Sequence, residues 1–176
     1  MAEHWLDITD IPAEGREFSF DEKEFWADKW AEFQMGYEAL TPMSATFTVQ
    51  PQQRGALVRG RLSGEVSTPC DRCLKDVSVS IDQPFDLFEQ LESPDEESVE
   101  PGLLREHKGR LELDAGAMLW EEFVLALPTK PLCSEDCKGL CPTCGKDLNE
   151  GPCGCAKSEG DERMAALRGL TIAKKD

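Results

Sequence analysis

The sequence predicts an α+β fold: an antiparallel β-meander with a few flanking helices, followed by a cysteine-rich C-terminal segment. Three observations lead there. Consecutive segments between Ala45 and Phe88 alternate apolar and polar residues, as half-buried strands do. Two other segments carry apolar residues at helical spacing. The chain of 176 residues also holds 8 cysteines, which fall into close pairs with none left over. We expect residues 1–130 to form the α+β domain, and residues 131–176 to be a cysteine-rich, zinc-binding tail packed on it.

The elements follow in order. Asp21-Glu-Lys-Glu24 has the form of a capping box, with Asp21 as N-cap and Glu24 reaching back. Phe25, Trp26, Trp30 and Phe33 then recur near helical spacing, a stripe suited to a core. Gly36 lets the chain turn. Ala45–Gln50 alternates with Phe47 and Val49 on one face, Pro51–Gly55 supplies a turn, and Ala56–Thr68 reads as a longer second strand. Val77–Ile81 alternates cleanly and Phe85–Phe88 extends it. Short connections between such segments imply antiparallel neighbours. Glu92–Pro101 breaks both periods with prolines and acids, and reads as a solvated, mobile loop. Arg110–Leu113 is a short strand candidate. Asp114 can cap a helix whose Met118, Leu119, Phe123 and Ala126 form an apolar face, and Pro128 and Pro131 stop it. Asp161 can cap a last short helix carrying Met164, Leu167 and Leu170.

The cysteine pairs are Cys70/Cys73, Cys133/Cys137, Cys141/Cys144 and Cys153/Cys155. The chain starts without a cationic, apolar leader and has no run of apolar residues long enough to span a bilayer. We therefore expect a cytoplasmic protein, where paired cysteines are better read as metal ligands than as cystines. Four thiolates are what one tetrahedral zinc requires. Cys141-Pro-Thr-Cys144-Gly145 is the most specific motif, because glycine after the second cysteine permits the left-handed turn that aims N–H groups at sulfur. Its natural partner is Cys153-Gly-Cys155. Cys70-Asp-Arg-Cys73 sits where a hairpin turn should be, and needs two more thiolates. Cys133 and Cys137 are the two still unassigned. One zinc among the six tail cysteines, with Cys70 and Cys73 free, is the alternative. Iron–sulfur spacing fits this order poorly.

The formal net charge is −16. From Asp82 to Glu122 there are 13 acidic residues against Arg105, Lys108 and Arg110. Such a chain is repelled by RNA phosphates unless a local basic strip overrides the average, and is better matched to a basic protein. The local positives are Arg54, Arg59, Arg61 and Arg72, which the sequence clusters around the expected hairpin as possible RNA contacts. Only two histidines occur, His4 and His107, and no nucleophile, base and orienting-acid set or phosphate-cradling glycine loop is present. Glu121 and Glu122 are adjacent carboxylates whose expected place is a solvated helix face. Neither an enzyme nor a small-molecule substrate is expected.

Cys70-Asp-Arg-Cys-Leu74, Glu122-Phe-Val-Leu-Ala-Leu-Pro128 and Pro131-Leu-Cys-Ser-Glu-Asp-Cys-Lys-Gly-Leu-Cys-Pro-Thr-Cys-Gly145, with Leu148-Asn149, together resemble the YceD family. The resemblance implies a cytoplasmic factor in the synthesis, processing or stability of large-subunit ribosomal RNA. Some family members keep the C-x-R-C pair, carry a His and a Cys near the positions of Cys133 and Cys137, and lack the later knuckle. That implies Cys70, Cys73, Cys133 and Cys137 as one site, and leaves the second to be judged on its own residues. The expectation is a non-enzymatic ribosome-biogenesis factor with one or two structural Zn2+ sites. Its partner would be a ribosomal protein or a large-subunit assembly intermediate. The competing readings are a nucleic-acid-binding zinc ribbon and a thiol redox or metal-handling protein.

Overall fold

The strands extend further along this chain than the alternating segments of the sequence suggest. The computed structural model describes residues 4–91, 102–155 and 163. In chain order its elements are β1 (Trp5–Asp7), β2 (Arg16–Phe20), α1 (Lys23–Glu32), β3 (Glu38–Gln52), β4 (Gly55–Pro69), β5 (Asp76–Gln90), β6 (Leu104–His107), β7 (Arg110–Asp114) and α2 (Ala115–Ala126), followed by a 3-10 turn at Leu148–Glu150. The chain divides into two compact units, Met1–Cys137 and Lys138–Asp176.

The first unit is α+β with antiparallel sheets. One sheet has the order β2-β3-β4-β5, the other β1-β7-β6. The β4–β5 ladder runs from Gly55 opposite Gln90 to Pro69 opposite Asp76. The β3–β4 ladder shifts register between Ala39 and Thr41, and again between Thr41 and Ser44. One face of the larger sheet buries Phe47, Val49, Val58, Leu62, Val66, Ile81 and Phe85. The other carries Arg59, Arg61, Asp82 and Asp86 into solvent. The segments Val77–Ile81 and Phe85–Phe88 are one strand, interrupted in sequence pattern by Pro84. A proline is tolerated there because β5 is an edge strand.

Both helices lay their apolar faces on this core. Phe123 of α2 is the meeting point, with ring centroids 5.5 Å from Trp26, 5.9 Å from Trp30, 5.8 Å from Tyr37 and 5.6 Å from Trp120. The indole N–H groups of Trp26 and Trp30 find no acceptor. Burying two rings of that size outweighs the loss. Phe33 is half exposed but stacks on Trp120 at 5.0 Å. Asp114 caps α2, its Oδ1 accepting from the Ala117 N–H at 2.9 Å.

Several expectations are corrected. α1 starts at Lys23 with Glu22 as N-cap and no side-chain cap bond, so the Asp21–Glu24 box is not made. The Glu22 carboxylate is drawn instead to His4 Nδ1 at 3.1 Å. The chain turns after α1 at Phe33 and Gln34, the latter at φ 52°, before it reaches Gly36. Glu122 is not on a solvated face: it is 4% exposed and accepts from Gln83 Nε2 at 3.1 Å. β1, β2 and β6 were not expected. The acidic stretch Glu92–Pro101 and the helix expected after Asp161 lie outside the described residues. Among the described residues, no helix is long and apolar enough to cross a membrane.

Gly60 faces Phe47 across the β3–β4 ladder, and a Cβ there would lie 2.4 Å from the Phe47 Cβ. Gly60→Ala is therefore expected to cost about 2 kcal/mol by overpacking. Urea denaturation followed by circular dichroism checks it, and an unchanged midpoint would show that the ladder gives way there without cost.

Candidate metal centre

Each unit folds four cysteine sulfurs into one place. In the first they belong to Cys70, Cys73, Cys133 and Cys137, in the second to Cys141, Cys144, Cys153 and Cys155. Within each four the sulfurs all lie within 4.8 Å of one another.

The first four is placed by the hairpin. The β4–β5 ladder ends at Pro69 and Asp76, so residues 70–75 must turn the chain through the sheet's twist. They do so as a knuckle. Cys70 N–H donates to the Lys75 carbonyl at 2.8 Å, and Leu74 N–H to the Cys70 carbonyl at 2.9 Å. Leu74 takes a left-handed φ of 62°. A branched side chain at positive φ is strained, by roughly 1–2 kcal/mol. The segment after α2 is then fastened to this turn. Asp71 N–H donates to the Pro131 carbonyl at 3.0 Å, Cys133 N–H to Cys70 Sγ at 3.4 Å, and Arg72 Nη1 to the Cys137 carbonyl at 2.7 Å.

The second unit repeats the knuckle bond for bond. Cys141 N–H donates to the Lys146 carbonyl at 2.8 Å, and Gly145 N–H to the Cys141 carbonyl at 2.9 Å. Gly145 has φ 72°, the conformation that motif requires of it. The 3-10 turn of the unit is held by Asn149, whose Oδ1 accepts from Lys138 N–H at 2.8 Å, and Asn149 N–H in turn donates to Asp147 Oδ1 at 2.8 Å. The shared pattern Cys-x-x-Cys-x-Lys was there to be found by laying residues 70–75 over 141–146. Leu74 concealed it, since only glycine announces a left-handed turn in sequence.

The donor sets fit a tetrahedral, thiophilic ion. Four sulfurs bonded to one zinc stand about 3.8 Å apart, given zinc–sulfur bonds near 2.3 Å. Here Cys70 and Cys137 are 3.9 Å apart, Cys73 and Cys133 3.5 Å, and Cys141 and Cys153 3.4 Å. Each four also holds a thiolate-stabilising position. Burial opposes ionisation of Cys70, but N–H groups of Arg72, Cys133 and Cys73 bring its pKa down to about 6. The N–H groups of Cys144 and Thr143, with the Cys153 thiol, bring Cys141 to about 6 as well. Their neighbours bear the crowding. The Lys75 N–H favours the Cys73 thiolate, yet burial and the surrounding thiols push it up to about 12. The Cys144 thiol and burial push Cys155 to about 12. A divalent cation among the four sulfurs removes that conflict. With four protein thiolates around it, such an ion has no open position for substrate.

The four arginines singled out in the sequence are not brought together. Arg59 and Arg61 share the solvent face of β4, where Arg59 Nε pairs with Asp86 at 2.9 Å and Arg61 with Asp82. Arg54 lies in the β3–β4 turn, where its carbonyl accepts from Leu91 N–H at 3.0 Å. Arg72 sits beyond the other end of β4. Fifteen residues of strand, roughly 45 Å, separate those two ends. A hairpin of ordinary length would have kept them close.

The family model described as Large ribosomal RNA subunit accumulation protein YceD matches residues 58–171, which include both cysteine fours. Similar proteins include uncharacterized proteins of Mycobacterium tuberculosis and Mycobacterium bovis. Each is 31% identical over 123 residues, covering 68% of this chain and 57% of the relative. The chain thus spans a little over half the length of the curated relatives it matches. No solved structure matches.

Cobalt(II) added to the reduced, metal-free protein is expected to give the intense thiolate-to-metal absorption of a tetrahedral four-sulfur site. Cys70→Ser and Cys141→Ser should each remove about half of it, because the two fours share no ligand. If either single change abolished the whole signal, the separate assignment of ligands would fall.

Proposed function

The chain belongs to the YceD family, and on that premise we propose that it is a non-enzymatic factor in the accumulation of large-subunit ribosomal RNA, acting in the cytoplasm. The two cysteine fours hold one structural Zn2+ each, through Cys70, Cys73, Cys133 and Cys137 in the first unit and Cys141, Cys144, Cys153 and Cys155 in the second. Binding is done by the acidic surface of the protein, which meets a basic ribosomal protein or a large-subunit assembly intermediate.

The observation that carries this reading is the closure of both fours by thiolates alone. Such an ion stabilises a fold and leaves chemistry to other groups. Apparent binding free energies in small sites of this kind are about 10–16 kcal/mol, comparable to the stability of a whole domain. Each four-thiolate zinc keeps a charge of −2, which takes the chain from −16 to roughly −20. A protein so charged is steered toward cationic partners. The arginines that could have carried RNA contact support the same reading. Arg59 and Arg61 are matched by aspartates, and Arg72 braces the loop of Cys133 and Cys137.

The test is affinity capture of the tagged, full-length protein from its native host at moderate salt, with co-purified protein and RNA identified together. Large-subunit components are expected, and a capture without them would overturn the reading. The isolated protein is expected to bind no RNA even at low salt. Affinity for RNA that falls steeply with salt would favour a nucleic-acid-binding ribbon instead. Thiol titration of the native protein should find the cysteines protected by metal; freely reactive pairs would favour a redox or metal-handling role.

A further inference from the structure

The larger sheet leaves part of one edge uncovered. β2 pairs with β3 only from Arg16 opposite Val49 to Phe20 opposite Ala45. Upstream of Ala45, β3 is bonded to β4 on one side, and among the described residues no strand lies on the other. α1 packs against β3. Between it and the strand lies a cavity of about 600 Å³, within the range of ordinary ligand sites, about 300–1,000 Å³. Its floor rests on Trp26, Trp30 and Met43, which at 1%, 5% and 1% exposed back the groove and offer little surface of their own. The apolar surface open to an occupant is that of Ala27, Ala31, Leu40 and Pro42. Ala27 and Ala31, one helical turn apart, keep the near wall low. Leu40, 54% exposed, forms part of the far wall.

Lys23 and Glu38 line the groove itself, and the helix beside it is predominantly acidic. Asp21–Glu32 carries five acids against Lys23 and Lys29, and Lys29 is held by Glu32 at 3.1 Å. On the helix, Glu24 and Asp28 adjoin the row of Ala27 and Ala31, and Glu38 stands on the opposite wall. The edge itself is not a flat template. Pro42 and the two register shifts interrupt it, which discourages indiscriminate strand addition. An occupant must therefore match the groove with its side chains as well as its backbone.

We propose that this groove is a docking site for an extended, basic protein segment, which lies along β3 and sets an apolar side chain against Ala31 and Leu40. A strand-like segment alternates its side chains, so apolar residues can face the floor while basic ones meet the acidic rim. The inference rests on the reading of the chain as a binding factor for a basic component of the large subunit, and assigns that reading a surface.

The experiment presents the full-length, metal-loaded protein to an array of short overlapping peptides covering the large-subunit ribosomal proteins of the host. Hits are then measured by fluorescence anisotropy. Expected hits are net positive and contain apolar residues. Ala31→Trp, which fills the groove from an exposed position, should weaken them about tenfold or more, and Glu24→Lys with Asp28→Lys should weaken them and flatten their salt dependence. The proposal is overturned if no peptide binds, if hits ignore both variants, or if acidic or wholly polar peptides bind as well. Capture from cells separates the two levels. Ala31→Trp protein that co-purifies with large-subunit components as fully as the wild type overturns the groove alone. Failure of the wild type to co-purify overturns the ribosomal reading itself.

Discussion

The pairing of β4 with β5 is the constraint on which the rest of the first unit depends. The ladder runs the whole length of both strands, from Gly55 with Gln90 to Pro69 with Asp76. Period two then fixes every inward residue of two long strands at once, because a slip by one would turn Val58, Leu62, Val66, Ile81 and Phe85 into water. Register also dictates where the chain must turn. That turn carries Cys70 and Cys73, so the position of the metal ligands is a consequence of strand pairing. At the other end, the Leu91 N–H bond to Arg54 closes the same ladder. The helices add cover to a sheet whose geometry is already determined.

What could be read from sequence follows from how local each signal is. The meander was legible because alternation repeats over many residues, and α2 because Asp114 and its apolar face agree. The helix starts one residue later than the box implies, and the Glu22 carboxylate goes to His4, a residue far from the helix in sequence. Burial of Glu122 needed Gln83 from another strand, and nothing near either residue advertises the other. β2 and β6 are short, and gain their structure from partners more than from pattern. The grouping of cysteines was recoverable by counting, since a hairpin turn brings its own pair together and leaves one other pair to complete each four. The distances among the arginines were lost because strand length was underestimated at both ends.

The two knuckles show one backbone solution reached from different residues. Gly145 adopts its left-handed φ freely, whereas Leu74 does so under strain with most of its side chain in solvent. The strain is tolerated where the surrounding bonds over-determine the turn. At Cys70 these include the end of the ladder, the Pro131 carbonyl and the Arg72 side chain. In the second unit, Gly145 takes the same conformation without that strain.

The boundary between the units falls directly after Cys137, and no cysteine of either four lies on the wrong side of it. Each site is therefore self-contained in its ligands. A descendant could discard everything from Lys138 onward, and the first site would keep a full set of donors. The converse trimming, at any point from Cys70 to Cys137, would break the first set while sparing the second. The two ligand sets are thus separable at a single peptide bond.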